Sequence, residues 1–295
     1  MPPINSLHVV GVRYLDGRPA EGGEVPLDSY VGAALYWEAG LPVVYEEPDL
    51  PAARRTGDRI ADLGLVCAAV GEQVAAGLRA GRAVLVTGGN CSHSVGVLAG
   101  LQRAHGPQAR IGMVWLDAHG DYNTPNTTRS GMLGGMPVAV CAGLGQARWR
   151  ELAGVQAPLP TERIVLVDVR NLDPDEERLI RATETTIAAA APGRPGADLG
   201  EAVAELADRC DLIYLHVDSD ILDAALTPNH GTREPDGIDL AQAAAAMETV
   251  LATGKVAATA VVAVFGTGAG HEVGVASGAA LIRAALAAWR RHGQP

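Results

Sequence analysis

The chain has 295 residues, 48% hydrophobic and 19% charged. That is long enough for one large α/β domain that buries roughly three quarters of its unfolded surface without help from disulfides. A net charge of −11 without a Lys/Arg cluster argues against nucleic acid as a partner. The lack of an uninterrupted apolar run near the ~20 residues that span a bilayer, or of a basic-then-apolar start, argues for a soluble cytoplasmic protein with no membrane partner.

In chain order, "LHVVGV" (7–12) and "LPVVYEE" (41–47) read as strands, and 58–80 has helical length and spacing. Strands follow at "AVLVTGG" (83–89), "IGMVWLDAH" (111–119) and "IVLVDVR" (164–170), then a helix over 174–183 that "DPDEE" starts well, with acids at the positive end of the helix dipole. "APGRPGAD" (191–198) is a loop before a helix over 198–209. "DLIYLHVDSD" (211–220) and "VAATAVVAVFG" (256–266) are the last strands, and 239–253 and 273–291 the last helices; Asp239 caps the first of these and Gly254 follows its last turn. Several strands are apolar on both faces, as strands of a parallel sheet covered by helices must be. The expectation is a single domain over 1–295: a three-layer α/β/α fold with a mostly parallel sheet of about eight strands.

Ligands of such sheets lie beyond the carboxyl ends of the strands, and the reactive residues of this chain fall there. "TGGNCS", "DAHGDYN" and "HVDSDILD" end three strands and bring Cys91, Asp117, His119, Asp121, Asp218, Asp220 and Asp223 to one edge. Alternation along an extended chain would aim Asp117, His119 and Asp121 the same way, and likewise Asp218 and Asp220. Carboxylates converging without a lysine or arginine among them repel one another unless cations neutralise them. Two divalent metals sharing bridging carboxylates account for the count better than one. The rival reading, a polar turn with helix-capping aspartates, explains "DAHGD" alone but not "DSDILD" as well.

"GGNCS", "DAHGDYNTPNTTRSG" and "VDSDILDAALTP" resemble, in order and spacing, the metal motifs of the ureohydrolase family of arginases, agmatinases and formiminoglutamases. The resemblance covers nearly the whole chain. It implies an arginase-like fold and two divalent ions, Mn(II) in that family, that hydrolyse a C–N bond of a guanidino or amidino small molecule. It also implies a homo-oligomer, trimer or hexamer. By the same resemblance Cys91, Asp117, Asp121 and Asp218 would surround one ion, and His119, Asp117, Asp218 and Asp220 the other, with Asp117 and Asp218 bridging. Asp121 and His119 would carry the chemistry, Asp121 by holding a metal-bridging hydroxide and moving its proton to the departing amine. Asp223 would stand behind the ligands. Asn123 and Ser130 would contact a substrate α-carboxylate, and Asp173 its α-amino group; turn capping by Asn123 and Ser130, and helix capping by Asp173, are the structural alternatives.

Three departures bear on the substrate. Asn90-Cys91 stands where the family has Asp-His, so one site exchanges an imidazole for a thiol, which weakens Mn(II) and favours Zn(II) or Fe(II). "SGMLGG" (130–135) has Gly134 where arginases carry a histidine, and "TAVVAVFG" (259–266) has Ala263 where they have a glutamate that pairs with the guanidinium. An N-hydroxyguanidine is less basic and binds without that acid. Cysteine at the first metal position and the "LGGM" run (133–136) resemble the branch that converts Nω-hydroxy-L-arginine to hydroxyurea and ornithine, which is the expected reaction. Arginase, agmatinase or formiminoglutamase-type activity and a non-catalytic family member remain as alternatives, and so does a Cys91 nucleophile, although that chemistry has no use for four aspartates. His230 is a candidate for the missing imidazole and for substrate contact; His93 reads as a capping residue, and His216 as a core histidine. His271 reads as a helix cap or an oligomer contact. Cys67, Cys141 and Cys210 read as small core residues.

Overall fold

The structure is a computed structural model that describes residues 4–293. Eight strands form one sheet in which every pairing is parallel. They are β1 (Leu7–Val12), β2 (Val43–Glu46), β3 (Ala83–Gly88), β4 (Ile111–Leu116), β5 (Ile164–Val167), β6 (Thr186–Ala188), β7 (Leu212–Asp218) and β8 (Val256–Val262). Their order across the sheet is β2-β1-β3-β8-β7-β4-β5-β6. Strands β3, β8, β7 and β4 are therefore consecutive neighbours at the centre, and these carry the motifs singled out above. The short edge strand β6 was not legible in the sequence: its three residues are too few for periodicity to register.

Helices cover both faces. On one, α1 (Arg59–Arg79) and α2 (Ser94–His105) pack Leu63, Val66, Val95 and Leu98 against Val84, Val86 and Trp115 of the sheet. Residues Ile180 and Leu179 of α3 (Pro174–Arg181) join this core at its edge. On the other face, α4 (Leu199–Arg209), α5 (Leu240–Leu251) and α6 (His271–His292) bring Val203, Met247, Ile282 and Trp289 against Val9, Leu85 and Leu215. This is the three-layer α/β/α arrangement. Asp239 caps its helix as the sequence suggested, in a reciprocal capping box with Gln242, and Asp58 caps α1 by accepting from Ala61 N (2.8 Å). Helices α1 and α6 are long and apolar enough, by composition alone, to cross a membrane; here each lays its apolar side on the sheet.

Helix α2 was obscured in the sequence by glycines that its packing requires. A Cβ on Gly96 would run into the Cys67 carbonyl of α1, and one on Gly100 would stand 2.6 Å from Val74 Cβ. The two helices thus approach backbone to backbone, and the Cys67 thiol of α1 donates to the Ser92 carbonyl (3.5 Å) in the turn next to Cys91. Cys67 and Cys141 are buried in helices and Cys210 is buried at the end of α4, all without disulfides, as expected.

Candidate metal centre

Register builds the site. Leu116 of β4 lies beside Val217 of β7, and Val262 of β8 beside Asp218. The first residue past β4, Asp117, and the last of β7, Asp218, therefore emerge side by side and are both almost fully buried. The expected mechanism of convergence, side-chain alternation, is not what operates beyond them. Strand β4 ends at Leu116, and Asp121 adopts a left-handed backbone conformation (φ 48°); β7 ends at Asp218, and Asp220 sits in a 3₁₀ turn (Ser219–Ile221). Turns rather than a continued pleat bend His119, Asp121 and Asp220 back to the cluster, and a non-glycine residue held at positive φ is strain of the kind that collects at functional sites. Backbone amides hold the turns: His119 N and Asp220 N donate to Asp117 Oδ1 (2.7 Å) and Asp218 Oδ1 (2.8 Å), and Ala118 N to Asp220 Oδ1 (3.3 Å).

His119 Nδ1 faces Asp117 Oδ1 (3.3 Å) and Asp220 Oδ2 (3.2 Å), and its Nε2 lies 3.2 Å from Glu234 Oε1. Cys91 is buried at the other end of the cluster, its thiol donating to Asp218 Oδ2 (2.8 Å) and 3.8 Å from Asp117 Oδ2. His230 Nε2 lies 3.4 Å from Asp218 Oδ1, and its Nδ1 3.7 Å from Asp220 Oδ2. Asp121 Oδ2 is buried with no hydrogen-bond partner. Among the described residues, three sets of potential ligand atoms each lie within 4.8 Å of one another: Cys91, Asp117 and His216; Asp117, His119 and Asp220; Asp218, Asp220 and His230.

The electrostatics are those of a cation site. Burial, then the neighbouring carboxylates, push the Cys91 thiol and the Asp117 and Asp121 carboxyls far above their usual ranges. Burial also opposes ionisation of Asp220, but hydrogen bonding to His119 and the charges of His230 and His119 outweigh it and hold this carboxyl low. His230 is raised to about 9: burial opposes its charge, and the hydrogen bond and charge of Asp218 prevail. Divalent ions fit this donor set. Hard carboxylate oxygens converge with an imidazole nitrogen, and an orphaned buried oxygen on Asp121 points to a missing positive partner.

Above the cluster opens a cavity whose walls include Asn123, Ser130, Asp173, Glu176 and Glu234, with Arg129 at the rim. Asn123 donates to Asp173 Oδ2 (3.2 Å), while Asp173 also caps α3 reciprocally with Glu176; the capping and cavity-lining readings of Asp173 hold together. His230 touches the cluster but is not part of the cavity wall. Asp223 turns away: its carboxylate accepts from Ala225 N (3.0 Å) and caps its own loop. His93 forms a capping box with Asn90, and burial lowers it to about 4. His271 caps with Gly268 O (3.0 Å), and Ala263, also at positive φ (58°), is buried just past the end of β8 and is not part of the cavity wall.

Glu176, Glu234 and Arg170 were missed. Arg170 donates to the carbonyls of Asp220 (2.8 Å) and Pro235 (3.0 Å), locking the loop that carries Glu234 to the metal turn. Arg170 and Glu234 come from loops beyond the motifs, where spacing carries no signal, and Glu176, in the first turn of α3, was legible only as a capping-box acid three residues after Asp173.

Residues 43–287 match the family model described as the arginase family. An arginase from Bacillus caldovelox is 36% identical over 171 residues, 57% of this chain and 56% of that protein. An N(omega)-hydroxy-L-arginine amidinohydrolase from Streptomyces lavendulae is 30% identical over 215 residues, covering 72% of this chain and 69% of its own length. The alignment thus spans little more than half of that curated arginase. The solved native structure of the B. caldovelox arginase superposes with a TM-score of 0.81 at 25% identity, over 96% of this chain and 98% of that one.

Proposed function

This chain belongs to the arginase family, and on that premise we propose that it is a metal-dependent amidinohydrolase whose substrate is Nω-hydroxy-L-arginine, cleaved by water to L-ornithine and hydroxyurea. The observation that carries the reading is the convergence of Asp117, His119, Asp121, Asp218 and Asp220 beneath a cavity whose wall offers Asn123, Ser130 and Asp173 to an amino-acid end group. Two divalent ions, Mn(II) or a softer ion beside Cys91, supply activation of water at neutral pH and polarisation of the amidine when bound. Asp117 and Asp218, adjacent by register, would be available to both ions; His119 and Asp220 would hold one and Cys91 and Asp121 the other.

The residues of the chain then do the rest. Asn123, Ser130 and Asp173 fix the amino-acid end so that the amidino carbon sits over the carboxylates. Water adds to that carbon, and the Asp121 carboxylate takes the proton and passes it to the substrate δ-nitrogen as the bond from that nitrogen to the amidino carbon breaks. A neutral N-hydroxyguanidine needs no buried acid at Ala263, whereas a guanidinium left without one bears an uncompensated charge. The S. lavendulae relative supports this choice. Arginine is the second reading, favoured by Glu176 and Glu234 in the cavity wall and by the arginase relatives. A homo-oligomer in the cytoplasm belongs to the same proposal.

The test is turnover of Nω-hydroxy-L-arginine, L-arginine and agmatine in parallel by protein loaded with Mn(II) or Zn(II). Hydroxyurea from the hydroxylated substrate with little urea from arginine is the expected result. Comparable or faster urea release from arginine moves the chain to the second reading, and no turnover of any of the three overturns both.

A further inference from the structure

The exchange of histidine for Cys91 removes an imidazole from one metal site, and the structure holds another imidazole at the same place. His216 lies on β7 two residues before Asp218, facing the same side of the sheet, and is fully buried. Its Nε2 stands 3.4 Å from Cys91 Sγ. His216, Cys91 and Asp117 form one of the three sets of converging ligand atoms.

This imidazole is held as metal-binding histidines are held. The ring stacks on Trp115, its cross-strand neighbour, at 3.5 Å between centroids and 6° between planes, and Trp115 Nε1 donates to Asp117 Oδ2 (3.1 Å). One indole thereby orients two donors of the set. His216 Nδ1 is held by two hydroxyl oxygens, Tyr214 OH at 2.8 Å and Ser94 Oγ at 3.1 Å, and the Tyr214 hydroxyl donates to Ser94 Oγ (3.1 Å). With the ring proton on Nδ1, given to these oxygens, the Nε2 lone pair faces Cys91, the arrangement in which outer hydrogen bonds fix the tautomer of a ligating histidine. The spacing also suits a shared ion. Nitrogen and sulfur ligands on one tetrahedral ion stand about 3.5 Å apart, against 3.4 Å from Cys91 Sγ to His216 Nε2 and 3.8 Å from Sγ to Asp117 Oδ2.

Resting on the two-ion reading above, we propose that His216 Nε2 is a ligand of the first metal, completing with Cys91 and Asp117 a site of nitrogen, sulfur and oxygen donors. The missing imidazole is thus relocated from the turn after β3 to strand β7. The centre is asymmetric: the Cys91–Asp117–His216 end takes Zn(II), Fe(II) or Co(II), and the His119–Asp117–Asp220 end, with its carboxylates, suits Mn(II).

The test uses metal content and spectroscopy in the absence of substrate. Apo-protein titrated with Co(II) is expected to take two ions and to show a thiolate-to-cobalt charge-transfer band that Cys91→Ser abolishes. His216→Asn is expected to weaken the thiolate-linked ion at least tenfold, and adding Cys91→His to that variant to restore two ions. Independently of whether any variant folds, X-ray absorption of the wild-type protein carrying one equivalent of Zn(II) is expected to show one sulfur and one imidazole around the ion. Two ions bound by His216→Asn with the band and affinity unchanged within twofold, or a zinc shell of sulfur and oxygen without imidazole, overturns the assignment of His216 alone. Wild-type protein that binds no ion overturns this inference together with the two-ion reading beneath it. His216-dependent binding in a protein that hydrolyses none of the three substrates upholds the inference and removes the proposed reaction.

Discussion

If His119 Nδ1 held an ion with Asp117 and Asp220, its Nε2 would carry the ring proton, and Glu234 Oε1, at 3.2 Å, is placed to receive it. Glu234 is in turn fixed by Asn171, whose amide donates to the same oxygen at 2.8 Å, and by Arg170 on its loop backbone. Removing such an outer partner of a metal-bound histidine costs 10–100-fold in metal affinity, equivalent to about 1.4–2.7 kcal/mol. Glu234→Ala is therefore expected to weaken Mn(II) binding at the His119 end by one to two orders of magnitude while leaving the Cys91 end unaltered. Glu234→Gln keeps an acceptor for the Nε2 proton but loses the charge, and should fall between the two. The assay is calorimetric titration of apo-protein with Mn(II), with circular dichroism to verify folding. Affinities of wild type and Glu234→Ala within twofold of one another would refute the argument and make the His119–Glu234 contact incidental.

Further outcomes follow from other parts of the structure. Asp121→Asn, which keeps the shape but not the proton carrier, is expected to lower kcat by about 10²–10⁴-fold; a loss under tenfold, with metal content unchanged, would remove Asp121 from proton transfer. Gly96→Ala drives a methyl into the Cys67 carbonyl and should destabilise by about 1–3 kcal/mol, read from urea melts; a neutral result would mean that α1 and α2 can separate without cost. His8 is buried with neither ring nitrogen hydrogen-bonded, and burial and then Arg82 hold it below its ordinary value. As pH falls below about 6.5 the unfolded chain takes up this proton before the folded one, so stability declines with falling pH. His8→Leu should make that decline shallower between pH 7 and 5.5 by one proton's share, with His93, held low in the same way, still contributing; an unchanged slope would exclude His8 as a contributor.

Much of the site was legible because metal chemistry demands particular residue types close together in sequence. "DAHGD" and "DSD" announce carboxylate and imidazole donors at strand ends, whatever the precise turn. The reason offered for their convergence was nevertheless mistaken: an extended pleat does not persist past Leu116 or Asp218, and tight turns supported by backbone amides do the aiming. Asp223 shared the motif but faces its own loop, since a step of a few residues beyond a turn can reverse a side chain's direction. Helix α2 was obscured because its glycines answer to the neighbouring helix rather than to helix propensity.

The sequence by itself determined the parallel α/β/α architecture and which acid and imidazole residues stand at the strand ends of the proposed centre, because both follow from local patterns: strands apolar on both faces, capped amphipathic helices, and candidate ligands set a few residues apart. What only the tertiary structure decided are the partners brought from afar. His216 read as a core histidine until strand register stacked it on Trp115 and set it against Cys91, a residue 125 positions away. Glu234 and Arg170 likewise enter through loops whose course depends on the packing of the whole sheet. Periodicity encodes which face a residue takes within its own strand; which strand lies beside it is set by the burial of all of them together.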